Sequence, residues 1–72
     1  MKISYDAEVD ALSIMFRETT VTTRELADGI CAEYDEDGNL AGLEILDAST
    51  RMGGREGLRR ITLEGIGVSA GG

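Results

Sequence analysis

Gly29-Ile30-Cys31-Ala32-Glu33-Tyr34-Asp35-Glu36-Asp37-Gly38-Asn39-Leu40-Ala41-Gly42-Leu43-Glu44-Ile45-Leu46-Asp47-Ala48-Ser49-Thr50 is the stretch whose reading decides the fold. Two segments of period-two alternation flank Asp37-Gly38, a pair suited to a primed two-residue turn with both central residues at positive φ. With that turn, or a four-residue loop of the same parity, Tyr34 faces Ala41, Ala32 faces Leu43 and Ile30 faces Ile45. All six are apolar and share one face. Cys31, Glu33, Asp35, Leu40, Gly42 and Glu44 then line the other. A three-residue loop centred on Asp37 would pair Ile30 with Glu44 and Cys31 with Leu43. A slip of one residue moves every side chain to the wrong side, so the first register is expected.

Working outward toward the N-terminus, Leu26 is expected opposite Ile30 across a three-residue turn, Ala27-Asp28-Gly29, with Gly29 left-handed. The strand before that turn occupies Thr22 to Leu26. Glu18 to Thr23, with four threonines and Val21 but few inward anchors, suits a connection running into an edge strand. Ile3 and Tyr5 alternate with Lys2 and Ser4, and Leu12, Ile14 and Phe16 alternate with Ser13 and Met15, so residues 1–17 read as a first hairpin pairing Tyr5 with Leu12. Toward the C-terminus, Asp47 stands where an N-cap belongs, accepting from the N–H of Ser49 or Thr50. A short helix over Ala48 to Met52 ends at Gly53-Gly54. Gly57 argues against a longer helix, and Arg60-Ile61-Thr62-Leu63-Glu64 has the composition of a sixth strand.

The expected fold is therefore α+β and mainly β: an antiparallel meander of five or six strands in the order 1-2-3-4-5, with one short helix after the fifth. Residues 1–64 form the domain, and 65–72, rich in glycine, form a tail. A chain of 72 residues lies near the size at which a single core barely outweighs chain entropy. One turn of helix cannot cover five strands. A second copy or another protein is expected to supply the missing layer, through Leu12, Ile14, Phe16, Ile30, Tyr34, Leu43 and Ile45.

Composition narrows the functional classes. The net charge of −7 is unevenly spread: residues 1–50 hold twelve acids against Lys2, Arg17 and Arg24, while residues 51–72 hold Arg51, Arg55, Arg59 and Arg60 against Glu56 and Glu64. Such an acidic body disfavours nucleic acid as a partner. No segment is long and apolar enough to span a bilayer, and a cytoplasmic location in a prokaryote is expected. A single cysteine, Cys31, makes no internal disulfide, and the absence of histidine removes the commonest general base and metal ligand.

Two acidic clusters have the composition of candidate sites. Glu33-x-Asp35-x-Asp37-Gly38 with Glu44 has nearly the spacing of a calcium-binding EF-hand loop, but that loop needs helices on both sides, and here the flanks alternate as strands. Asp6, Glu8 and Asp10 resemble carboxylates that hold magnesium or act as acid and base, a role that needs a pocket. Solvated turns with Asx-type bonds are the simpler reading of both. The terminal Gly-Gly resembles the end of a sulfur carrier, but those proteins need a three-turn helix that no stretch here supplies. The arginines after residue 50 lack the neighbouring aromatics that RNA bases stack on, and are expected to pair with the acidic body of a second subunit.

Tyr5-Asp6-x-Glu8-x-Asp10-Ala11-Leu12, Asp28-Gly29-Ile30, Tyr34-Asp35-Glu36-Asp37-Gly38 and Gly42-Leu43-Glu44-Ile45-Leu46-Asp47-Ala48-Ser49 follow one another in an order that resembles the bacterial and archaeal family called domain of unknown function 2283. The resemblance covers residues 1 to about 52. It implies a small, soluble, stand-alone prokaryotic protein and assigns no chemistry and no catalytic residue. The functional expectation is a non-enzymatic interaction module without cofactor, a homodimer, in an antitoxin-like role or scaffolding a basic protein. The alternative is a carboxylate-based metal-binding protein or hydrolase using Asp6, Glu8 and Asp10 or Asp35 and Asp37.

Overall fold

In the computed structural model, which describes residues 1–65, the alternating segments form five antiparallel strands, β1 (Lys2–Asp6), β2 (Ala11–Met15), β3 (Thr22–Ala27), β4 (Ile30–Tyr34) and β5 (Leu40–Ile45). Two short helices follow, α1 (Ala48–Arg51) and α2 (Arg55–Arg59). The strands make one sheet in the order β1-β2-β5-β4-β3.

That order corrects the expected meander. β1 and β2 do form the first hairpin, with Tyr5 opposite Leu12 and Ile3 opposite Ile14. β3, β4 and β5 form a second, three-stranded run. β5 docks against β2 instead of lying at the edge. In this position Leu43 sits between Ile14 and Ala32, and Ile45 between Leu12 and Ile30. In the order 1-2-3-4-5, β3 would be central and would carry Thr22 and Arg24 into the apolar rows. At the edge all six of its residues stay exposed, which spares the cost of burying them. Residues 16–21 carry the chain across the end of the sheet, over three strand spacings of about 14 Å, within the roughly 20 Å reach of six extended residues.

The decisive hairpin is built differently at its tip from the expectation. Gly38 N–H donates to the Asp35 carbonyl (3.1 Å), Asp35 N–H donates to the Asn39 carbonyl (2.9 Å), and Gly38 has φ 82°. This is a three-residue loop ending in a left-handed glycine. It pairs Tyr34 with Leu40, not with Ala41. The register then shifts by one between Tyr34 and Glu33, so that Ala32 faces Leu43 and Ile30 faces Ile45 as the apolar pattern requires. A bulge at Ala41 takes up the extra residue. At the other end of β4 a two-residue turn, Asp28-Gly29, sets Ala27 opposite Ile30, and Leu26, expected there, is bulged out and 55% exposed.

Residues 52–62 fold back over the β1–β2 end of the apolar face. Met52, Leu58 and Ile61 stand above Ile3, Leu12 and Ile14 around an apolar cavity of about 300 Å³. Residues 60–64 form no strand, and Gly57 lies inside α2, both contrary to expectation. Glycine is required at 57 because a Cβ there would strike the Met52 carbonyl oxygen. The expected tail, residues 65–72, lies outside the described residues except for Gly65. Among the described residues the only buried apolar side chains are Leu12, Ala32, Ala41 and Ala48.

Gly42 lies where three strands crowd. A Cβ added there would come within 2.7 Å of Glu33 Oε1 and 2.9 Å of the Ile14 carbonyl oxygen. The carboxylate can swing aside; the backbone oxygen of the neighbouring strand cannot. Gly42→Ala is therefore expected to destabilise the fold by about 1–3 kcal/mol, read from urea denaturation. A variant as stable as the parent would show that β2 and β5 are not packed this closely.

Candidate functional site

The acidic residues singled out by their spacing are places to look for chemistry, and two of them form nodes. Asp10 ends the β1–β2 loop with a left-handed backbone, φ 53°, a conformation that Asp tolerates better than most residues. Tyr5 donates its phenolic O–H to Asp10 Oδ1 at 2.6 Å. Ser49 donates its N–H to Oδ1 at 3.0 Å and its hydroxyl to Oδ2 at 2.7 Å. Ala48 N–H donates to the Asp10 carbonyl at 3.0 Å. Asp10 thus caps α1 from 39 residues away.

Asp47, the expected cap, makes no side-chain cap bond. A capping residue ordinarily has extended backbone, whereas Asp47 is left-handed at φ 52°, ψ 40°. The hydrogen bonds from Tyr5 and then Ser49 hold the Asp10 carboxyl below its ordinary pKa, with the nearby Arg55 charge adding to this. The same bond pushes the Tyr5 phenol up.

Asp35 is the second node. It is 8% exposed at the mouth of the β4–β5 hairpin. Its Oδ1 accepts from the N–H groups of Asp37 (2.9 Å) and Asn39 (2.8 Å), and its Oδ2 accepts from the Asn39 amide and the Arg17 guanidinium. The Asn39 N–H contributes most to holding its pKa down. Arg17 belongs to the connection between β2 and β3, and the N–H groups of Phe16 and Arg17 donate to the Ala41 carbonyl at 2.8 and 3.3 Å. Asp35 and the bulge together pin the crossing segment.

These bonds decide what the acidic clusters can do. Both oxygens of Asp35 are taken by donors of its own chain, and the Glu33 carboxylate lies over Gly42, so the EF-hand spacing does not close into a cage. Asp6 accepts from Glu8 N–H at 3.0 Å, an Asx-type turn bond. Asp10 faces Ser49 instead of its loop neighbours. Among the described residues no three His, Cys, Asp or Glu side chains are placed to hold one metal ion.

Cys31 is free and half-buried on the polar face, opposite Glu25 and Glu44. Of the arginines beyond residue 50, expected to meet a second subunit, Arg51 and Arg59 have partners in their own chain. Arg51 donates to the Leu46 carbonyl at 3.0 Å and to the Asp28 carbonyl, and Arg59 pairs with Glu56 at 3.4 Å.

Of the residues expected at an interface, Leu12, Ile14, Ile30, Tyr34, Leu43 and Ile45 share one face by strand alternation. Ile14, Phe16, Ile30, Tyr34, Leu43 and Ile45 are half-buried, and Leu12 lies beneath the helical cover. The role of Asp10 was missed from sequence. Its only sequence signal is the recurrence of Tyr5, Asp10 and Ser49 among the motifs that carry the family resemblance.

Fold and site together define a small protein built on a single antiparallel sheet, with one apolar face half roofed by helices and its best-held carboxylates engaged in internal bonds. No helix of the described residues is long and apolar enough to cross a membrane. The pattern of the family of proteins of unknown function DUF2283 matches residues 2–49, and the chain belongs to that family. The match runs from the first residue of β1 to Ser49, the far partner of Asp10. No curated protein and no solved structure matches the chain.

The two nodes fix the pH dependence of stability. Asp10 and Asp35 have lowered pKa values in the folded chain, so the stability they give is whole above the ordinary carboxylate pKa and is lost as pH falls through the folded values. Tyr5 is raised, so its contribution is whole below the ordinary phenol pKa and is lost as pH rises through the folded one. Asp10→Asn is expected to flatten the acid limb of a urea-midpoint profile below roughly pH 4. An unchanged acid limb would mean that the Tyr5 and Ser49 bonds to Asp10 do not hold in solution.

Proposed function

We propose that this protein is a non-enzymatic protein-interaction module working through the apolar face of its sheet. The observation that carries the reading is the open half of that face. Beyond the reach of the helices, Ile30, Tyr34, Leu43 and Ile45 stand half-buried over β4 and β5, with no second layer among the described residues to complete the burial. A contiguous apolar patch on so small a protein is the usual mark of a docking surface. The opposite face carries Asp6, Glu25, Glu33 and Glu44, a charged surface that stays in water while the apolar face docks.

A photo-crosslinking amino acid placed at Tyr34 in the native cell is expected to give a discrete protein adduct, and the same group at Glu25 on the opposite face none. Equal yields from both positions, or none from either, would overturn the reading. Calorimetric titration of the purified chain with calcium, magnesium or manganese is expected to show no saturable heat. A saturable signal lost in Asp35→Asn or Asp6→Asn would replace the module with a metal-binding protein.

A further inference from the structure

We infer that the occupant of the open apolar face is a second copy of this chain, packed sheet against sheet about a two-fold axis. The inference rests on the reading of that face as a docking surface and names its partner. Two observations single out self-association.

The first is surface area. A folded monomer of 7.7 kDa exposes about 4,300 Å², whereas this chain exposes 5579 Å². Residues 66–72, even given all the surface of an unfolded segment, account for about 800 Å², and the rest of the chain still exceeds a monomer of its mass by about 700 Å². Two such excesses set against each other make an interface of about 1,400 Å², within the range of stable protein pairs.

The second is the placement of charge. Register assigns Ile3, Tyr5, Leu12, Ile14, Ile30, Ala32, Leu43 and Ile45 to one face, with Thr22, Arg24 and Ala27 continuing it along β3. Arg24 is the single charge among these strand positions and lies at the edge. Every strand carboxylate, namely Asp6, Glu25, Glu33 and Glu44, projects from the other side. Two bodies of charge −7 repel in most orientations. With the apolar faces together, the strand carboxylates of both copies point outward into solvent. A basic partner would find its complement on the acidic back and almost none on this face.

The helical cover restricts where the copies meet. Met52, Leu58 and Ile61 stand over the β1–β2 end, so the contact falls on the β5–β4–β3 half, around Ile30, Leu43, Ile45 and Tyr34. Two inner faces meeting there would lie about 10 Å apart and share one core.

Sedimentation equilibrium of the full chain is expected to give twice the chain mass. Intermolecular NOEs between isotope-labelled and unlabelled copies are expected among the methyls of Ile30, Leu43 and Ile45. Tyr34→Arg should weaken association at least tenfold, and Met15→Arg on the opposite face should leave it unchanged. Should Tyr34→Arg unfold, the NOEs in the parent chain decide the matter. A dimer whose intermolecular NOEs fall elsewhere overturns the inference. A monomer at millimolar concentration that binds the apolar dye ANS overturns self-pairing and leaves the docking surface standing. A monomer that binds no dye and protects those methyls from a soluble paramagnet overturns both.

Discussion

One residue inserted into β5 holds the architecture together. The tip of the β4–β5 hairpin closes with a three-residue loop, whose parity alone would turn Leu43 and Ile45 away from the apolar face. The bulge at Ala41 restores the parity before the first of them is reached. The same bulge presents a carbonyl that receives the N–H groups of Phe16 and Arg17. Correcting the register and anchoring the chain that leaves β2 are thus two effects of one insertion, and together they place β5 beside β2.

Much of this was legible in the sequence, and the misses have identifiable causes. The strands, the pairing of Tyr5 with Leu12 and the inner register of Ile30 and Ala32 follow from period-two alternation, since a half-buried sheet admits one phase. The strand order did not follow, because alternation says which face a residue takes and not which neighbour it meets. The edge character read in β3 was right, and it was the meander order that conflicted with it: Thr22 and Arg24, in register with the apolar rows, are tolerated only at an edge. The turn at Asp37-Gly38 misled because the left-handed glycine it supplies serves a three-residue loop as well as a two-residue one.

The carboxylates teach a related lesson. Asp6, Glu8 and Asp10 are alike in sequence, yet Asp6 bonds its own loop while Asp10 reaches α1. Local spacing finds a turn. It carries no trace of a bond across 39 positions. Asp47 was the natural cap because it precedes the helix, and only its left-handed backbone disqualifies it. The family match ends at Ser49, so the segment it defines includes both ends of this long bond.

That long bond makes α1 depend on the sheet. A helix of four residues has no stability of its own in water, and its first N–H groups are satisfied by a loop near the other end of the chain. Closing a segment of that length carries an entropic cost, which must be met by the β2–β5 pairing before Asp10 and Ser49 can stay together. α1 is in this sense a dependent part of the molecule, a seal that holds only over a sheet whose β2 and β5 are paired.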